Sequence, residues 1–166
     1  MSGRSVIHDM FVIERSYLAI PSRVFAAFAS TDAKSNWGWI DRSAVDDGAK
    51  APELDFRIGG RERFEFKEHG TALRYDARFY DIVPDQRIIY AYEMYAGDAR
   101  ISVSVATIEF ASNGDGTALT VTEQGAYLDD IDGPQAPSLR KEGVTEMLGN
   151  LTGYLASQTA QSGASP

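Results

Sequence analysis

A chain of 166 residues with 43% apolar and 24% charged side chains has the size and composition of one folded domain, which excludes a disordered or fibrous protein. Its 24 acidic residues against 16 basic ones give a formal charge of −8, opposite in sign to a nucleic-acid footprint, so neither nucleic acid nor an anionic membrane is an expected partner. Cysteine is absent, and no stretch has signal-peptide or membrane-spanning character; this removes thiol chemistry and disulfides and leaves a cytoplasmic protein without membrane insertion as the expectation.

From Phe11 to Tyr17 the apolar residues Phe11, Ile13 and Tyr17 alternate with polar neighbours, the pattern of a half-buried strand, and Arg15 falls on the same parity. Pro21 then pre-sets a first helical turn, and Val24, Phe25 and Phe28 share one face of a short helix. Thr31 and Asp32 are placed to cap a second short helix that reaches Trp37, with Trp39 and Ile40 following. Rising polarity marks a loop over residues 41–54, and Gly59-Gly60 reads as a sharp bend or bulge before the next strand.

An antiparallel meander comes next. Phe64 and Phe66 oppose Arg63, Glu65 and Lys67, and His69-Gly70 ends the run. Tyr75, Ala77, Phe79 and Val83 then alternate with Arg74, Asp76 and Arg78 up to Pro84; Asp81 shares the apolar parity but lies at the strand end, where solvation is expected. Ile88, Tyr90, Tyr92 and Met94 share the face of a third run that turns at Gly97-Asp98. In the fourth, Ile101, Val103 and Val105 keep odd parity while Ile108 and Phe110 are even, which predicts a bulge near Ala106 and Thr107. The last strand carries Leu119, Val121 and, on the same apolar face, Glu123. An amphipathic helix beginning near Ser138 follows, with Val144, Met147, Leu148, Leu151, Tyr154 and Leu155 as its stripe. One domain over 1–156 and a flexible C-terminal tail over 157–166 complete the division.

This order makes an α+β domain: six to seven curved antiparallel strands around one long C-terminal helix, with two short helices after the first strand. A single helix about 10–12 Å across does not cover such a sheet, so a space between the two is expected. Ala19-Ile20-Pro21 with Val24-Phe25, residues 56–61 (FRIGGR), 82–88 (IVPDQRI) and 116–123 (GTALTVTE), and the closing helix from Gly143 to Leu155 resemble the START-like or SRPBCC superfamily, in its branch related to the activator of the heat-shock-protein-90 ATPase. The resemblance implies a helix-grip fold, as in START and Bet v-like proteins, and a cavity, but no particular reaction. The closing helix of that branch usually begins Gly-Trp; here Val144 follows Gly143, so one cavity-bordering aromatic is missing.

Glu123 is the conspicuous candidate for chemistry, because an unpaired charge on an apolar face is costly and burial would raise its pKa towards an acid–base role; Arg15 is the expected partner. Trp37, Trp39, Tyr75, Phe79, Tyr92, Met94, Met147 and Leu151, with Glu123, are the candidate ligand-binding residues. His8, read in an N-terminal tail, and His69, in a turn, have no second ligand at useful spacing, so no metal and no cofactor is expected. Without a base, Ser16, Ser43 and Ser104 make no serine triad. Gly149 and Gly153 form a GxxxG opposite the apolar stripe, a weak dimerisation signal in water. The leading functional expectation is a module that binds a small apolar or lipid-like molecule without turnover. A cyclase, dehydratase or hydrolase using cavity carboxylates is the alternative. A third reading is an interaction module whose charged outer sheet face meets a chaperone or other protein, and a homodimer is a further partner reading.

Overall fold

The structure is a computed structural model that describes residues 3–41, 43 and 48–162. Seven antiparallel strands form one sheet in the order β1-β7-β6-β5-β4-β3-β2. The strands are β1 (Val6–Tyr17), β2 (Glu53–Leu54), β3 (Arg61–Glu68), β4 (Thr71–Val83), β5 (Arg87–Ala96), β6 (Ala99–Asn113) and β7 (Gly116–Leu128); the helices are α1 (Pro21–Ala26), α2 (Thr31–Asn36) and α3 (Ala136–Ser162). This is the helix-grip arrangement, with α3 lying over β1 and β7.

Local sequence explains most of these elements. Pro21 sits in the first turn of α1, where its missing N–H costs nothing. Ser30, one residue before the expected cap, accepts the Ala33 amide at 3.1 Å to start α2. His69 and Gly70 make the β3–β4 turn with positive φ of 49° and 81°, the two-residue hairpin geometry that follows the twist of the strands. The segment 41–54 is described at 41, 43 and from 48 onward, and β2 at its end pairs with β3 through Glu53 and Leu54.

Three boundaries differ from the sequence reading. β1 begins at Val6, so His8 lies within a strand and not in a tail. α3 starts at Ala136 and continues through Ser162, so residues 157–162 of the expected tail are helical; 163–166 lie outside the described residues. The irregularity of β6 is not at Ala106. Tyr95 pairs with Arg100 and Met94 with Ser102, so Ile101 is the extra residue, and from there Ser102, Ser104, Ala106, Ile108 and Phe110 face inward. Val103 and Val105 consequently face solvent. A second register shift, at Tyr80 between Phe79 and Asp81, turns Asp81 outward, where it pairs with Arg87.

The core lies between the concave face of the sheet and the helices. Val144, Leu148, Leu151 and Leu155 of α3 are buried in it, each such side chain contributing about 1.5–3 kcal/mol by leaving water. Side chains from β1 and α1 also tie α3 down. Tyr17 Oη donates to the Leu148 carbonyl at 2.8 Å, and Arg23 reaches the Leu155 carbonyl and Thr159 Oγ1, both at 3.0 Å. Over β3, β4 and β5 the covering is aromatic. Trp37, Trp39, Tyr75, Tyr92, Phe64, Phe79 and Phe56 touch one another in edge-on, tilted and stacked pairs with centroids 4.6–6.2 Å apart. Trp37, Tyr75, Phe79 and Tyr92 each keep 5% or less of their surface uncovered, so the space expected between helix and sheet is filled with rings.

Candidate functional site

Glu123 points inward from β7 and is 2% exposed. Its partner is not Arg15. Glu123 stands opposite Phe11 in the β1–β7 register, whereas Arg15 stands opposite Leu119, further along the strand. Arg15 instead lies against α3, with Nη2 3.5 Å from the Thr145 carbonyl. A Cβ on Gly149 would come 2.7 Å from that nitrogen, so this glycine makes room for Arg15, while Gly153 has nothing within 4 Å. The GxxxG pair therefore splits between two environments and does not form one uniform face.

The charge beside Glu123 comes from Arg140 in the first part of α3. Tyr92 Oη donates to Glu123 Oε1 at 2.5 Å. Arg140 Nη1 in turn donates to Tyr92 Oη at 2.8 Å and to Ser104 Oγ at 3.5 Å, and Nη2 donates to Ser102 Oγ at 2.9 Å. The guanidinium lies 3.6 Å from Glu123 Oε1 and 5.4 and 5.3 Å from the ring centroids of Tyr92 and Tyr127. A Cβ on Gly125 would fall within 3.1–3.2 Å of Ser104 Oγ and the Tyr127 ring. Glycine at this position lets Tyr127 fold back over its own strand and close the site.

The electrostatics follow from this geometry. Burial pushes the Glu123 carboxyl up, and Arg140, Tyr92 and Ser104, which favour the carboxylate, offset only part of that rise. Burial likewise raises the Tyr92 phenol well above its ordinary range. It works against the Arg140 charge, but Tyr92 and Glu123 outweigh it and hold the guanidinium protonated. One cation, one carboxyl and three hydroxyls thus form a single network facing the aromatic interior. A guanidinium has five N–H donors, and those of Arg140 that make no bond to the protein remain available; its side chain is 15% exposed.

A second buried pair lies across the interior. Lys34 of α2 and Glu62 of β3 are 4% and 1% exposed. Lys34 Nζ contacts both carboxylate oxygens, at 2.9 and 2.5 Å. Trp39 Nε1 approaches Glu62 Oε1 at 3.4 Å, and Lys34 Nζ stands 5.4 Å above the Trp39 ring. This cluster fixes α2 and the two tryptophans against β3. Trp37 Nε1 is separately bonded to the Ala27 carbonyl at 2.9 Å.

Of the candidate ligand residues, Trp37, Tyr75, Phe79, Tyr92, Met94, Glu123 and Leu151 are buried in the core, and Trp39 and Met147 are half-buried at its margin. Sequence reasoning missed Arg140, Tyr127, Ser102, Lys34 and Glu62, and dismissed Ser104. Two of them carried a usable signal. Arg140 lies four residues before Val144 and eight before Leu148, on the apolar stripe itself, and Glu62 shares the parity of Phe64 and Phe66. The serines carried none, because the valines beside them are the better core residues. Among the described residues no group of histidines and carboxylates could hold a metal ion, and no helix is long and apolar enough to cross a membrane.

Residues 19–156 match the family described as activator of Hsp90 ATPase homolog 1-like protein. Among solved structures, Mll3558 from Rhizobium loti is 42% identical, with a TM-score of 0.77 over 90% of this chain and 99% of its own. An uncharacterized protein from Rhizobium leguminosarum is 39% identical, with a TM-score of 0.81 over 93% and 98%. Protein CV1439 from Chromobacterium violaceum is 25% identical, with a TM-score of 0.69 over 88% and 96%. No curated protein matches the chain significantly. The match over most of the length, together with the seven-stranded sheet gripping α3, places the chain in the activator of Hsp90 ATPase homolog 1-like family.

Proposed function

We propose that this protein binds a small, largely aromatic molecule whose polar head is held by Arg140, Tyr92 and Glu123 and whose ring lies against Tyr75, Trp39 and Met147. The reading rests on the buried Arg140–Tyr92–Glu123 network with Ser102 and Ser104. Buried polar networks of this kind are seldom required for stability, since well-packed apolar residues do as well or better; their presence in an aromatic interior is better explained by a ligand. Phe79, Trp37 and Leu151 form the back wall. Because rings fill the interior, the ligand enters by displacing the half-buried Trp39 and Met147 side chains, and association is slower than diffusion allows.

The protein's two tryptophans both belong to this wall, so their fluorescence reports occupancy. Titration with 9-anthracenemethanol and with anthracene-9-carboxylate tests the reading: saturable quenching by at least one, weakened about tenfold or more in Tyr92→Phe through loss of one buried hydrogen bond, is expected. Failure of both to bind up to their solubility limits would overturn it.

The hydrogen bond from Tyr92 to the buried Glu123 carboxyl, with the raised carboxyl pKa, also favours a second reading, acid–base catalysis on the bound molecule. Under that reading Glu123→Gln abolishes turnover even at a substrate concentration that saturates the variant. Under the binding reading there is no turnover to lose.

A further inference from the structure

Resting on that binding reading, we infer that the natural ligand is an aromatic monocarboxylic acid and that Glu123 takes up one proton from solvent when the ligand's carboxylate settles on Arg140. The inference starts from the charges in the network. One guanidinium is shared out among three neutral hydroxyls, and the one carboxyl group beside it stands at 3.6 Å, spending Oε1 on the Tyr92 hydroxyl. Arg140 therefore retains donor capacity for a bidentate acceptor, the geometry in which guanidinium recognises a carboxylate. The Tyr92 and Tyr127 rings, with centroids 5.4 and 5.3 Å from the guanidinium, give a planar acid aromatic surface beside its carboxylate.

A second carboxylate brought to that guanidinium puts two negative charges on one positive charge in a dry site, and such a pair shares a proton. The groups facing Glu123 leave it as the acceptor. From α3 comes Arg140, already charged. From β5 come Tyr92 and Tyr90, from β4 Tyr75, and from β7 itself Tyr127, all neutral phenols. β6 contributes Ser104 and Ala106, and β1 contributes Phe11. No second cation faces the carboxyl among these residues. The balance is one carboxylate and one proton in, one neutral Glu123 carboxyl and one Arg140–carboxylate pair out. A phosphate dianion would leave one further negative charge uncompensated, and so the site selects a monoanion.

The test uses the intact protein and the same two probes. Proton uptake is measured by calorimetry of anthracene-9-carboxylate binding in buffers of different ionisation enthalpy, and affinity is followed from about pH 7 to about pH 9, where the probe itself is fully ionised. Expected are close to one proton taken up and an affinity that falls about tenfold per pH unit once Glu123 is ionised in the free protein. In Glu123→Gln the uptake and the slope both vanish. 9-Anthracenemethanol shows neither in either protein. If both probes bind and no proton is taken up, the inference falls while the binding reading stands; if Glu123→Gln keeps the uptake, Glu123 is not the acceptor and the inference falls likewise. If neither probe binds, both readings fall. The wild-type proton count alone decides should Glu123→Gln fail to fold.

Discussion

Glu123 lowers or raises the stability of the fold according to whether it holds a proton. Its folded pKa is raised above the unfolded value by burial. The folded state thus binds the extra proton in the window between the two values, and the stability from this group is fully present below the unfolded pKa and lost as pH rises through the folded one. Glu123→Gln is expected to remove that dependence: the difference in Tm between wild type and variant, measured by thermal melts from about pH 4 upward, should shift in the variant's favour with rising pH. A difference that is flat across the range would contradict the assignment. Tyr17 and Tyr127 act the same way at the other extreme, because burial lifts both phenols to about 12. Their contribution is intact below the ordinary tyrosine value near 10 and lost by about 12. The part of the tyrosinate absorbance that is lost in Tyr17→Phe and Tyr127→Phe should therefore rise together with unfolding and not before it. Glu123 itself was legible from strand parity alone, since it is the polar residue that breaks the inward run of Leu119 and Val121. Its partner was not, because Arg15 occupied a position of the same kind and the choice between two arginines depends on where α3 sets down its first turns.

At the scale of elements, β6 shows how pattern reading fails. Ile101, Val103 and Val105 offered a clean apolar alternation, yet the bulge at Ile101 turns the serines inward and the valines outward. Bonds from Arg140 to Ser102 and Ser104 stabilise that register, and nothing in β6 alone encodes them. β5, and β4 as far as Phe79, were read correctly because their aromatic faces have no polar competitor; beyond Phe79 the shift at Tyr80 brings Ile82 to the core face in place of the expected Val83. In α3 the glycines make a graded prediction. Gly143 and Gly153 have free space around a would-be Cβ, so Gly143→Ala and Gly153→Ala should each stabilise the protein by about 0.5–1 kcal/mol through helix propensity. Gly149→Ala should give less or nothing, because the new methyl group must push the Arg15 guanidinium aside. Chemical denaturation of the three variants checks the order. For α2, Lys34→Met strips Glu62 of its partner in a dry site and should cost about 3–5 kcal/mol. The double variant with Glu62→Leu should recover most of that loss.

The whole molecule was the most legible level, since alternating strands followed by one long amphipathic stripe admit few architectures. What the sequence could not convey was that large side chains occupy the concavity, because the same aromatics serve as walls or as filling, and only their mutual distances distinguish the two. Charge is unevenly spread over the convex side. Arg61, Arg63, Arg74 and Arg78 stand on the β3–β4 half among Glu65 and Asp76. The β1–β7–β6 half instead exposes Val12, and Met10, Val103 and Val105 around a shallow groove of about 660 Å³. With serines drawn inward to serve Arg140, these valines lie on the outer surface, and the overall charge of −8 opposes their association between molecules. That repulsion disappears near the pI of about 4.7, so solubility should pass through a sharp minimum there, and Val103→Lys with Val105→Glu should widen the range of clear solutions without altering the interior. The inward polar site thus has a colloidal cost on the outside of the same strand.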